Sequence, residues 1–489
     1  MLLTEILNKV QVIQLVGNPD ERKITGIEYN SQNVGQGSIF VAIKGFKTDG
    51  HHFIQEALNK NAAAIVVEDN SSIPDSAITN SNAVKILVPD SRKTLAEISN
   101  LFYSEPSKKI NLIGITGTNG KTTTAYFVKN IFETAGNKVG LIGTIMNYIG
   151  EEVTESKLTT PESKDLNRML VEMNQTGCKY VVIEVSSHSL SLRRVHGINF
   201  SSAIFTNITA EHLDFHQNFE NYLSAKKLLF DTLAESSTAI YNADDLHGID
   251  VLKDCNAVKF SFGTRAEFDF RISDVSFDLT GTTFNLNFQN KTHSIKTSLV
   301  GDFNSYNAAS SFAVAKLNGL DDDLIVEGIK STLQVPGRFE VLTNGTRKVV
   351  IDYSHTPDSL EKALLVIRKL TSKDNRVLTV FGCGGNRDKQ KRPVMGKIAT
   401  ELSDKVILTS DNPRFENPEM IIEDIKSGII KDNYKVIENR EEAIANAIYE
   451  SGNDAVILIA GKGHEEYQEI DGVRKHFSDR QTAKSYMGI

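Results

Sequence analysis

The sequence predicts an α/β protein of three domains, and three observations carry this prediction. Its 489 residues are about three times the ~150 residues that one domain ordinarily spans. From residue 109 onward, apolar runs typical of buried strands alternate with helix-patterned segments, which indicates mostly parallel sheets covered by helices. A polar segment with a proline at 104–109 and a Val-Pro-Gly turn at 335–337 interrupt this pattern. We therefore expect an N-terminal domain of residues 1–106, a central domain of 107–335 and a C-terminal domain of 336–489.

The first predicted domain is a small α/β unit. Its first residues interrupt their apolar positions with Thr4, Glu5 and Asn8, as a short amphipathic helix does and a signal peptide does not. Strand-like runs follow at residues 38–43, 63–67 and 84–88, and helical patterns at 53–59 and 91–103.

The central domain is predicted to hold a mostly parallel sheet. Its alternating strand and helix patterns lie at residues 110–115, 122–134, 139–145, 164–175, 180–185 and 203–206. Residues 268–298 instead alternate polar and apolar side chains, which predicts a local antiparallel sheet added to this domain.

The third domain is predicted to be Rossmann-like, with its own parallel sheet. Its strand and helix patterns lie at residues 348–351, 358–370, 377–381, 405–408 and 455–459. Two glycine-rich turns, 382–385 and 461–463, follow strands of this set, at the end of the sheet where open α/β folds bind ligands.

Composition restricts the classes of partner. The 54 basic and 62 acidic residues give a net charge of −8, which provides no general attraction to nucleic acid or to an anionic membrane. Cys178, Cys255 and Cys383 are too few and too scattered for a disulfide framework or a zinc site, so we expect three buried thiols in a reducing compartment. No apolar run approaches the ~18 residues of a membrane span. We expect a cytoplasmic monomer without nucleic-acid partners or membrane insertion.

The segment GITGTNGKTTT, residues 114–124, predicts a phosphate-binding loop. It follows an apolar strand and precedes a helical pattern, and its glycines let backbone N–H groups approach a polyphosphate. Lys121 adds a positive charge, and Thr122 offers a hydroxyl to Mg²⁺. The loop departs from G-x-x-x-x-G-K-[ST], because Ile115 stands five residues before Gly120. It indicates ATP or GTP.

Two further strand ends carry polar clusters. Glu184 ends an apolar strand and could complete a magnesium site begun by Thr122; alternatively, it is solvated beside a helix that Ser186 or Ser187 caps. The strand at 203–206 leads into two acids and two histidines within residues 211–216, a density that favours a functional site.

An ordered set of motifs over residues 31–467 resembles the Mur ligases, a family of ATP-dependent amide ligases. These motifs are GTNGKTTT, LTTPES, EVSSHSL, EHLDFH, Tyr-x-x-Ala-Lys, GDFNSYNAA, PGRFE, DYSHTPDSLEKAL, FGCGGNRDKQKRP, DNPR and AGKGHEEYQ. Folylpolyglutamate synthase is a related ligase, but its resemblance would not extend to the N-terminal domain or to DNPR.

The resemblance implies a reaction in two stages. ATP phosphorylates a carboxylate of UDP-N-acetylmuramoyl-L-alanyl-D-glutamate, and an amine then displaces phosphate to form an amide. A free carboxylate resists amines because oxide leaves poorly, whereas phosphate leaves readily. Positioned cations must offset the charge when the two anions meet.

The resemblance also implies the residues that hold ATP and metal. The residues expected to bind ATP are Gly117, Thr118, Asn119, Gly120, Lys121, Thr122, Thr123, Asn304, Arg338 and Asp352. ATP would then lie between the central and third domains, so the third domain must close over it. Thr122 and Glu184 would bind one Mg²⁺; His212 and a carbamylated Lys226 would bind a second, since an ammonium cannot ligate a metal and a carbamate can. Lys227 is expected to be an ordinary helix lysine paired with an acid.

The remaining expected contacts are to the other two substrates. Those to the UDP-linked acceptor are Ser31, Phe46, Lys47, Thr48, Thr159, Thr160, Ser186 and Arg194. Those to meso-diaminopimelate are Arg387, Asp411, Asn412, Pro413, Arg414, Gly461 and Glu465. The family's aspartate in the D-H-L-D run is Glu211 here, which conserves the charge.

DNPR resembles the signature of family members that add diaminopimelate. Diaminopimelate differs from lysine by a second carboxylate at its far end, which the Arg414 guanidinium can receive with paired hydrogen bonds. In isolation, DNPR would be read as a turn and Lys389–Arg392 as a solvated charge run. Two alternatives remain: an L-lysine-adding ligase of this family, and a P-loop switch or binding ATPase without ligase chemistry.

Overall fold

Three sheets follow one another along the chain in the computed structural model, which describes residues 1–46, 48–371, 375–452 and 455–489. The first sheet lies within residues 14–87, the second within 111–297 and the third within 340–460. Helices cover each sheet, which confirms the predicted three-part α/β fold. The divisions at 106/107 and 335/336 fall between these sheets and stay predictions.

The N-terminal unit holds a five-stranded sheet of order β1-β5-β4-β3-β2 among its described residues. Neighbours from β2 to β5 pair in parallel, and β1 pairs antiparallel to β5. The three middle strands are buried at every position, so apolar clusters form on both faces. Its elements are β1 (Gln14–Val16), β2 (Gly26–Glu28), β3 (Ser38–Val41), β4 (Ala64–Val67), β5 (Val84–Leu87), α1 (Leu3–Leu7), α2 (Ile54–Asn59), α3 (Asp75–Asn80) and α4 (Ser91–Phe102).

The strands of the central unit form one continuous sheet of order β16-β15-β14-β13-β12-β11-β6-β10-β7-β8-β9 in the described residues. They are β6 (Asn111–Thr116), β7 (Val139–Ile142), β8 (Met146–Ile149), β9 (Glu152–Glu155), β10 (Tyr180–Glu184), β11 (Ser202–Phe205), β12 (Thr238–Asn242), β13 (Val258–Gly263), β14 (Phe270–Asp278), β15 (Gly281–Phe288) and β16 (Lys291–Thr297). The middle of the sheet is parallel, as predicted. The predicted antiparallel segment is present as β14 to β16, but β14 pairs in parallel with β13 and so extends the central sheet.

Helices pack on both faces of this sheet, and one apolar cluster lies between the sheet and the helices on each face. They are α5 (Lys121–Thr134), α6 (Ser163–Gln175), α7 (Ser187–Ser191), α8 (Leu213–His216), α9 (Phe219–Asp231), α10 (Gly248–Val251), α11 (Phe303–Leu317) and α12 (Asp322–Ser331). The three cysteines of the chain are buried and free, as expected. In the part of the chain that the structure describes, no helix is long and apolar enough to cross a membrane.

The C-terminal unit has a sheet of order β17-β18-β22-β19-β20-β21, in which β17 alone among the described strands runs antiparallel to its neighbour. Its strands are β17 (Glu340–Asn344), β18 (Arg347–Asp352), β19 (Val377–Phe381), β20 (Lys405–Leu408), β21 (Tyr434–Val436), β22 (Val456–Ala460) and the hairpin β23 (Tyr467–Ile470) with β24 (Val473–His476). Its helices are α13 (Pro357–Leu370), α14 (Lys391–Leu402), α15 (Pro418–Lys426), α16 (Arg440–Glu450) and α17 (Asp479–Met487).

The segment Lys389–Arg392, read in isolation, predicts a solvated charge run, and this prediction is wrong at Arg392. The Arg392 side chain is fully buried because its guanidinium contacts Glu416 at 3.0 and 3.1 Å and Asp424 at 2.7 Å. It also donates to the Gly384 carbonyl at 3.3 Å, which ties together two loops of the third sheet.

Gly337 lies where the chain passes from the central to the C-terminal unit, and its backbone is in close contact with residues 463 and 464. Its φ of +65° is a left-handed conformation, and a Cβ there would overlap the backbone nitrogen of His464. Tyr353 N also donates to the Gly337 carbonyl at 2.9 Å. Glycine is therefore required where the chain enters the third unit.

Candidate active site

The phosphate-binding loop connects β6 to α5 at the middle of the central sheet. Gly120 has a φ of +87°, and a Cβ on it would lie 2.5 Å from Asn307 Oδ1. A Cβ on Gly117 would overlap Thr206 Oγ1. Both positions exclude side chains, which explains why glycines occupy them.

Residues after β11 hold the loop in place. Asn207 accepts from Thr118 N through its carbonyl at 2.8 Å and from Asn119 N through Oδ1 at 2.9 Å. Lys121 folds back and donates to the Gly117 and Thr118 carbonyls, both at 2.8 Å, while burial lowers the pKa of Lys121. Its ammonium is therefore held next to the loop that an anion would enter.

Thr122 and Glu184 contact each other, as the magnesium prediction requires. Thr122 Oγ1 donates to Glu184 Oε2 at 2.9 Å, and Glu184 also accepts from Thr144 N at 2.9 Å and Thr144 Oγ1 at 2.8 Å. Glu184 is fully buried, so the solvated alternative is wrong. Ser186 does cap α7, because its Oγ accepts from Ser189 N at 3.1 Å. A hydroxyl beside a carboxylate is a hard-oxygen pair that fits Mg²⁺.

His212 and Lys226 both face Tyr222. The Lys226 side chain is buried on α9, its Nζ donates to the Gly117 carbonyl at 2.8 Å, and the Tyr222 ring centre lies 4.5 Å away. The centroid of the His212 ring lies 6.3 Å from that of Tyr222. Burial lowers the pKa of His212 to about 4 and the pKa of Lys226 well below its usual range. Both shifts work against the charged form of these side chains.

The predicted second metal site includes a modified lysine. Among the described residues, no group of three or more histidine, cysteine, aspartate or glutamate side chains is arranged to hold a metal. A neutral imidazole is a metal ligand, and a neutral amine is the form that can take up carbon dioxide as a carbamate. Lys227, by contrast, contacts Asp231 at 2.6 Å and Asp254 at 2.5 Å, as expected for an ordinary helix lysine paired with an acid.

A cavity of about 750 Å³ separates the loop from the C-terminal unit. Asn119, Gly120 and Thr123 line one side, and Arg338 and Asp352 line the other. The two units also touch, since Asn119 Nδ2 donates to Asp358 Oδ2 at 3.0 Å. The cavity has the size of a small-molecule site and lies where ATP was predicted.

Asn304 lies behind the wall of this cavity. Its Nδ2 donates to the Val300 carbonyl at 2.9 Å, and its Oδ1 accepts from Asn307 Nδ2 at 3.0 Å. Asn307 itself lines the cavity and was missed. It stands three residues after Asn304 on α11, a helical spacing that places both on one face.

Arg338 and Asp352 reach the cavity from the third unit. Arg338 donates to Thr122 Oγ1 at 3.3 Å, and its guanidinium lies 4.6 Å from the centre of the Tyr353 ring. Asp352 accepts from Phe339 N at 2.7 Å and Ser354 N at 2.9 Å, while burial raises the pKa of Asp352. Arg338 therefore connects the third unit to the predicted metal ligand.

The DNPR segment follows β20 and meets two other loops at the carboxyl end of the third sheet. Arg414 Nη1 donates to the Gly385 carbonyl at 2.8 Å, and Gly385 N donates to the Asn412 carbonyl at 2.9 Å. A Cβ on Gly385 would overlap the Pro413 carbonyl. The segment is thus held as a loop against the 382–385 turn.

Asn412 also meets the 461–465 turn, because its Nδ2 donates to Glu465 Oε2 at 2.8 Å. A Cβ on Gly461 would lie 2.5 Å from Asp411 Oδ2. Burial, and secondarily Asp411, raise the pKa of Glu465. Arg387 is exposed and has no hydrogen-bond or ion-pair partner among the described residues.

The predicted acceptor contacts form two groups. Thr159, Thr160, Ser186 and Arg194 cluster at Glu184: Thr160 Oγ1 donates to the Glu184 carbonyl at 2.7 Å, and Arg194 donates to the Thr160 carbonyl at 3.1 Å. Thr159 Oγ1 lies 3.2 Å from Thr144 Oγ1.

The second group lies in the N-terminal unit. Ser31 Oγ donates to Glu56 at 2.7 Å, and the Thr48 carbonyl accepts from Gly45 N at 3.0 Å. Phe46 is 74% exposed, and its ring centroid is 5.5 Å from that of Phe215 in the central unit. Lys47 lies outside the described residues.

Two histidines near this site were not predicted. The His188 ring lies 4.8 Å from that of His212, and His355 Nε2 lies 3.4 Å from Glu211 Oε1. Both stand in motifs already quoted, EVSSHSL and DYSHTPDSLEKAL. They come close to Glu211 and His212 only in the folded chain.

The cavity between the central and C-terminal units and the charged loop cluster of the third sheet are two separate candidate binding sites, as an enzyme that uses a nucleotide to join two substrates requires. The chain belongs to the Mur ligase family. Profiles of the Mur ligase middle domain, of the Mur ligase glutamate ligase domain and of the Mur ligase family catalytic domain match residues 115–315, 337–463 and 23–103. The predicted resemblance is confirmed.

Relatives with known names match over the whole chain. UDP-N-acetylmuramoyl-L-alanyl-D-glutamate–2,6-diaminopimelate ligase 1 of Clostridium acetobutylicum is 43% identical, with 100% of this chain and 99% of the relative covered. A solved structure of a UDP-N-acetylmuramoyl-L-alanyl-D-glutamate–2,6-diaminopimelate ligase is 30% identical, with a TM-score of 0.70 over 100% of this chain and 99% of that one. The Thermotoga maritima MurF ligase in complex with ADP shares the fold, at 20% identity and a TM-score of 0.62 over 90% and 94% of the two chains.

Proposed function

We propose that this chain joins meso-2,6-diaminopimelate to the D-glutamate of UDP-N-acetylmuramoyl-L-alanyl-D-glutamate, with ATP consumed, as a cytoplasmic monomer in peptidoglycan synthesis. The observation that carries the proposal is the site at the carboxyl end of the third sheet. There, the Arg414 guanidinium shares one loop cluster with the Asp411 and Glu465 carboxylates. Such a cluster matches an amino-acid group that carries both a carboxylate and an ammonium. The 43% identical relative, named for this reaction, supports it.

The reaction balances through an acyl phosphate. A carboxylate oxygen of the D-glutamate attacks the terminal phosphorus of ATP, and ADP leaves. The diaminopimelate amine then attacks the acyl carbon, loses a proton, and phosphate departs with the C–O bond electrons. Lys121, held at the loop, would stabilise negative charge on the transferred phosphoryl group.

The metal assignments rest on the donor sets described above. Thr122 and Glu184 would hold one Mg²⁺, and His212 with a carbamylated Lys226 would hold another. Bound there, Mg²⁺ would offset the charge of the phosphate oxygens. The buried Lys226 forms no ion pair with any described residue, which leaves its amine available for modification.

Acceptor binding would use both groups of predicted contacts. The residues that cluster at Glu184 would receive the muramoyl-dipeptide, and Ser31, Phe46, Lys47 and Thr48 the uridine nucleotide. The contact of Phe46 with Phe215 supports this division, because it places the N-terminal unit beside the central site.

The two alternatives are less well supported. Lysine lacks the carboxylate that diaminopimelate carries at its far carbon, so Arg414 would lose that partner and would face the nearby ammonium group alone. A nucleotide switch has no use for a second charged pocket in a separate unit.

One assay separates the three functions. Release of ADP is measured with ATP and the UDP-dipeptide in the presence of diaminopimelate, lysine or no amine. The mass of the product is determined by mass spectrometry. We expect tripeptide formation with diaminopimelate. Equal use of lysine would support the lysine-adding ligase, and equal ADP release without an amine would support the ATPase.

A further inference from the structure

Lys462 is a buried lysine at the predicted amino-acid site that no predicted contact includes. It stands between Gly461 and Gly463 after β22, and its side chain is 0% exposed. Its Nζ lies 3.0 Å from Asn412 Oδ1, 3.4 Å from Glu465 Oε2 and 3.6 Å from Asp411 Oδ1. A lysine is rarely buried in full unless it is paired. Its three partners are all residues expected to bind the amino acid.

Lys462 determines the orientation of the Asn412 amide. Asn412 Oδ1 accepts from Lys462 Nζ and from Glu469 N at 2.9 Å, so two donors require oxygen at this position. The Nδ2 group must then lie on the other side, where it donates to Glu465 Oε2 at 2.8 Å. Without Lys462, only one of these two donors would remain.

Lys462 also compensates two carboxylates. Among the described residues, it is the only cation within ion-pair distance of Asp411 or Glu465. Both acids are nearly buried, with side chains 8% and 15% exposed. Two other nearby cations form ion pairs with different acids: Arg440 with Asp479 at 2.7 Å and Arg414 with Glu469 at 3.9 Å.

One oxygen of Glu465 remains available. Oε2 accepts from Asn412 and Lys462, whereas Oε1 has no hydrogen-bond partner among the described residues. A carboxylate held by one oxygen and open at the other can accept a hydrogen bond from a ligand ammonium.

We propose that Lys462 is a positioning residue, which keeps Asn412 and Glu465 oriented, and compensates the charge of Glu465, to receive an ammonium group of the incoming amino acid. The inference rests on the proposed function. Lys462 acts through its neighbours and is itself sealed from the ligand by burial.

The test compares Lys462→Met with Lys475→Met, a matched change of an exposed lysine on β24. Michaelis constants for diaminopimelate, ATP and the UDP-dipeptide are measured with each. We expect Lys462→Met to raise the constant for diaminopimelate by about tenfold or more, because a partner of buried acids is lost. The other two constants and all those of Lys475→Met should change by less than about twofold. An unchanged constant for diaminopimelate overturns the inference.

A chemical rescue separates charge from cavity filling. Lys462→Ala removes the atoms that n-propylammonium contains, so this cation should lower the Michaelis constant for diaminopimelate, whereas n-propanol should not. Equal rescue by both compounds overturns a role for the charge. Failure of the unmodified enzyme to use diaminopimelate would instead refute the proposed function, independently of Lys462.

A second pair of variants applies if loss of the cation prevents folding. Asp411→Asn/Lys462→Met removes one carboxylate together with the cation and is compared with Asp411→Asn alone. A higher constant for diaminopimelate in the double variant supports the inference, and equal constants overturn it.

Discussion

The two ligand-facing regions of this ligase are built in different ways. The phosphate loop is one short segment, shaped by glycines at 117 and 120 and held by backbone hydrogen bonds. The amino-acid site is assembled from three segments, 382–387, 411–414 and 461–465, held together by the buried cations Arg392 and Lys462. Phosphates are common to all nucleotides, and a local backbone shape suffices for them. A particular amino acid has to be distinguished by placed charges, which require long-range assembly.

The largest expected effect tests the charge at the phosphate loop. We expect Lys121→Ala to abolish ligation, with a barrier increase on the order of 4 kcal/mol, because a preorganised cation is lost. The UDP-dipeptide should still bind, which equilibrium titration would measure. Near-normal turnover at saturating ATP would remove Lys121 from the mechanism.

The next largest effect concerns Lys226, which donates a hydrogen bond to the Gly117 carbonyl, as Lys121 does. Lys226→Ala should lose roughly 3 kcal/mol of rate acceleration, as expected when a metal ligand is removed. Short-chain carboxylic acids should restore part of the rate by supplying an oxygen ligand. Lys226→Arg is the matched control: it keeps the charge but cannot form a carbamate, and full activity in it would contradict the proposed role.

At the amino-acid site, Arg414→Ala should cost about 2–3 kcal/mol in diaminopimelate binding, because the distal carboxylate loses its partner. The constants for ATP and the UDP-dipeptide should change far less. Steady-state kinetics with diaminopimelate and lysine, on both enzymes, measures this. Comparable use of the two amines by the unmodified enzyme would show that DNPR does not select between them.

The smallest effect tests how charge holds the site together. Arg392 lowers the pKa of Glu416 from its ordinary value of 4.5 to about 2. A depressed acid pKa stabilises the fold above about pH 4.5 and loses this contribution as the pH falls towards 2. Glu416→Gln should therefore lower the free energy of unfolding by about 1–2 kcal/mol near neutral pH. Urea unfolding should show this difference shrinking below pH 4.5.

The control for this prediction is Glu401→Gln, a change at an exposed glutamate on α14. It should alter stability little at any pH. A difference for Glu416→Gln that stays constant down to pH 3 would contradict the ion-pair explanation.

The same contrast explains what could be predicted from sequence. The loop, β6 and α5 were predicted closely because glycine positions and apolar runs act locally. The fold class followed from the strand and helix alternation. The burial of Arg392 and Lys462 could not be predicted, because acids from other segments of the chain, such as Glu416 and Asp411, contribute to it. Asn307 was missed for a related reason: only the third unit turns that face of α11 into a cavity wall.

The backbone contact at Gly337 has a mechanical consequence. Because residue 337 touches the 463–464 backbone, the turn that carries Lys462 and Glu465 lies against the point where the third unit is attached. For any rotation about that point, parts close to the axis travel least. The 461–465 turn would then move little relative to the central unit, whereas more distant parts of the third unit would undergo larger displacements.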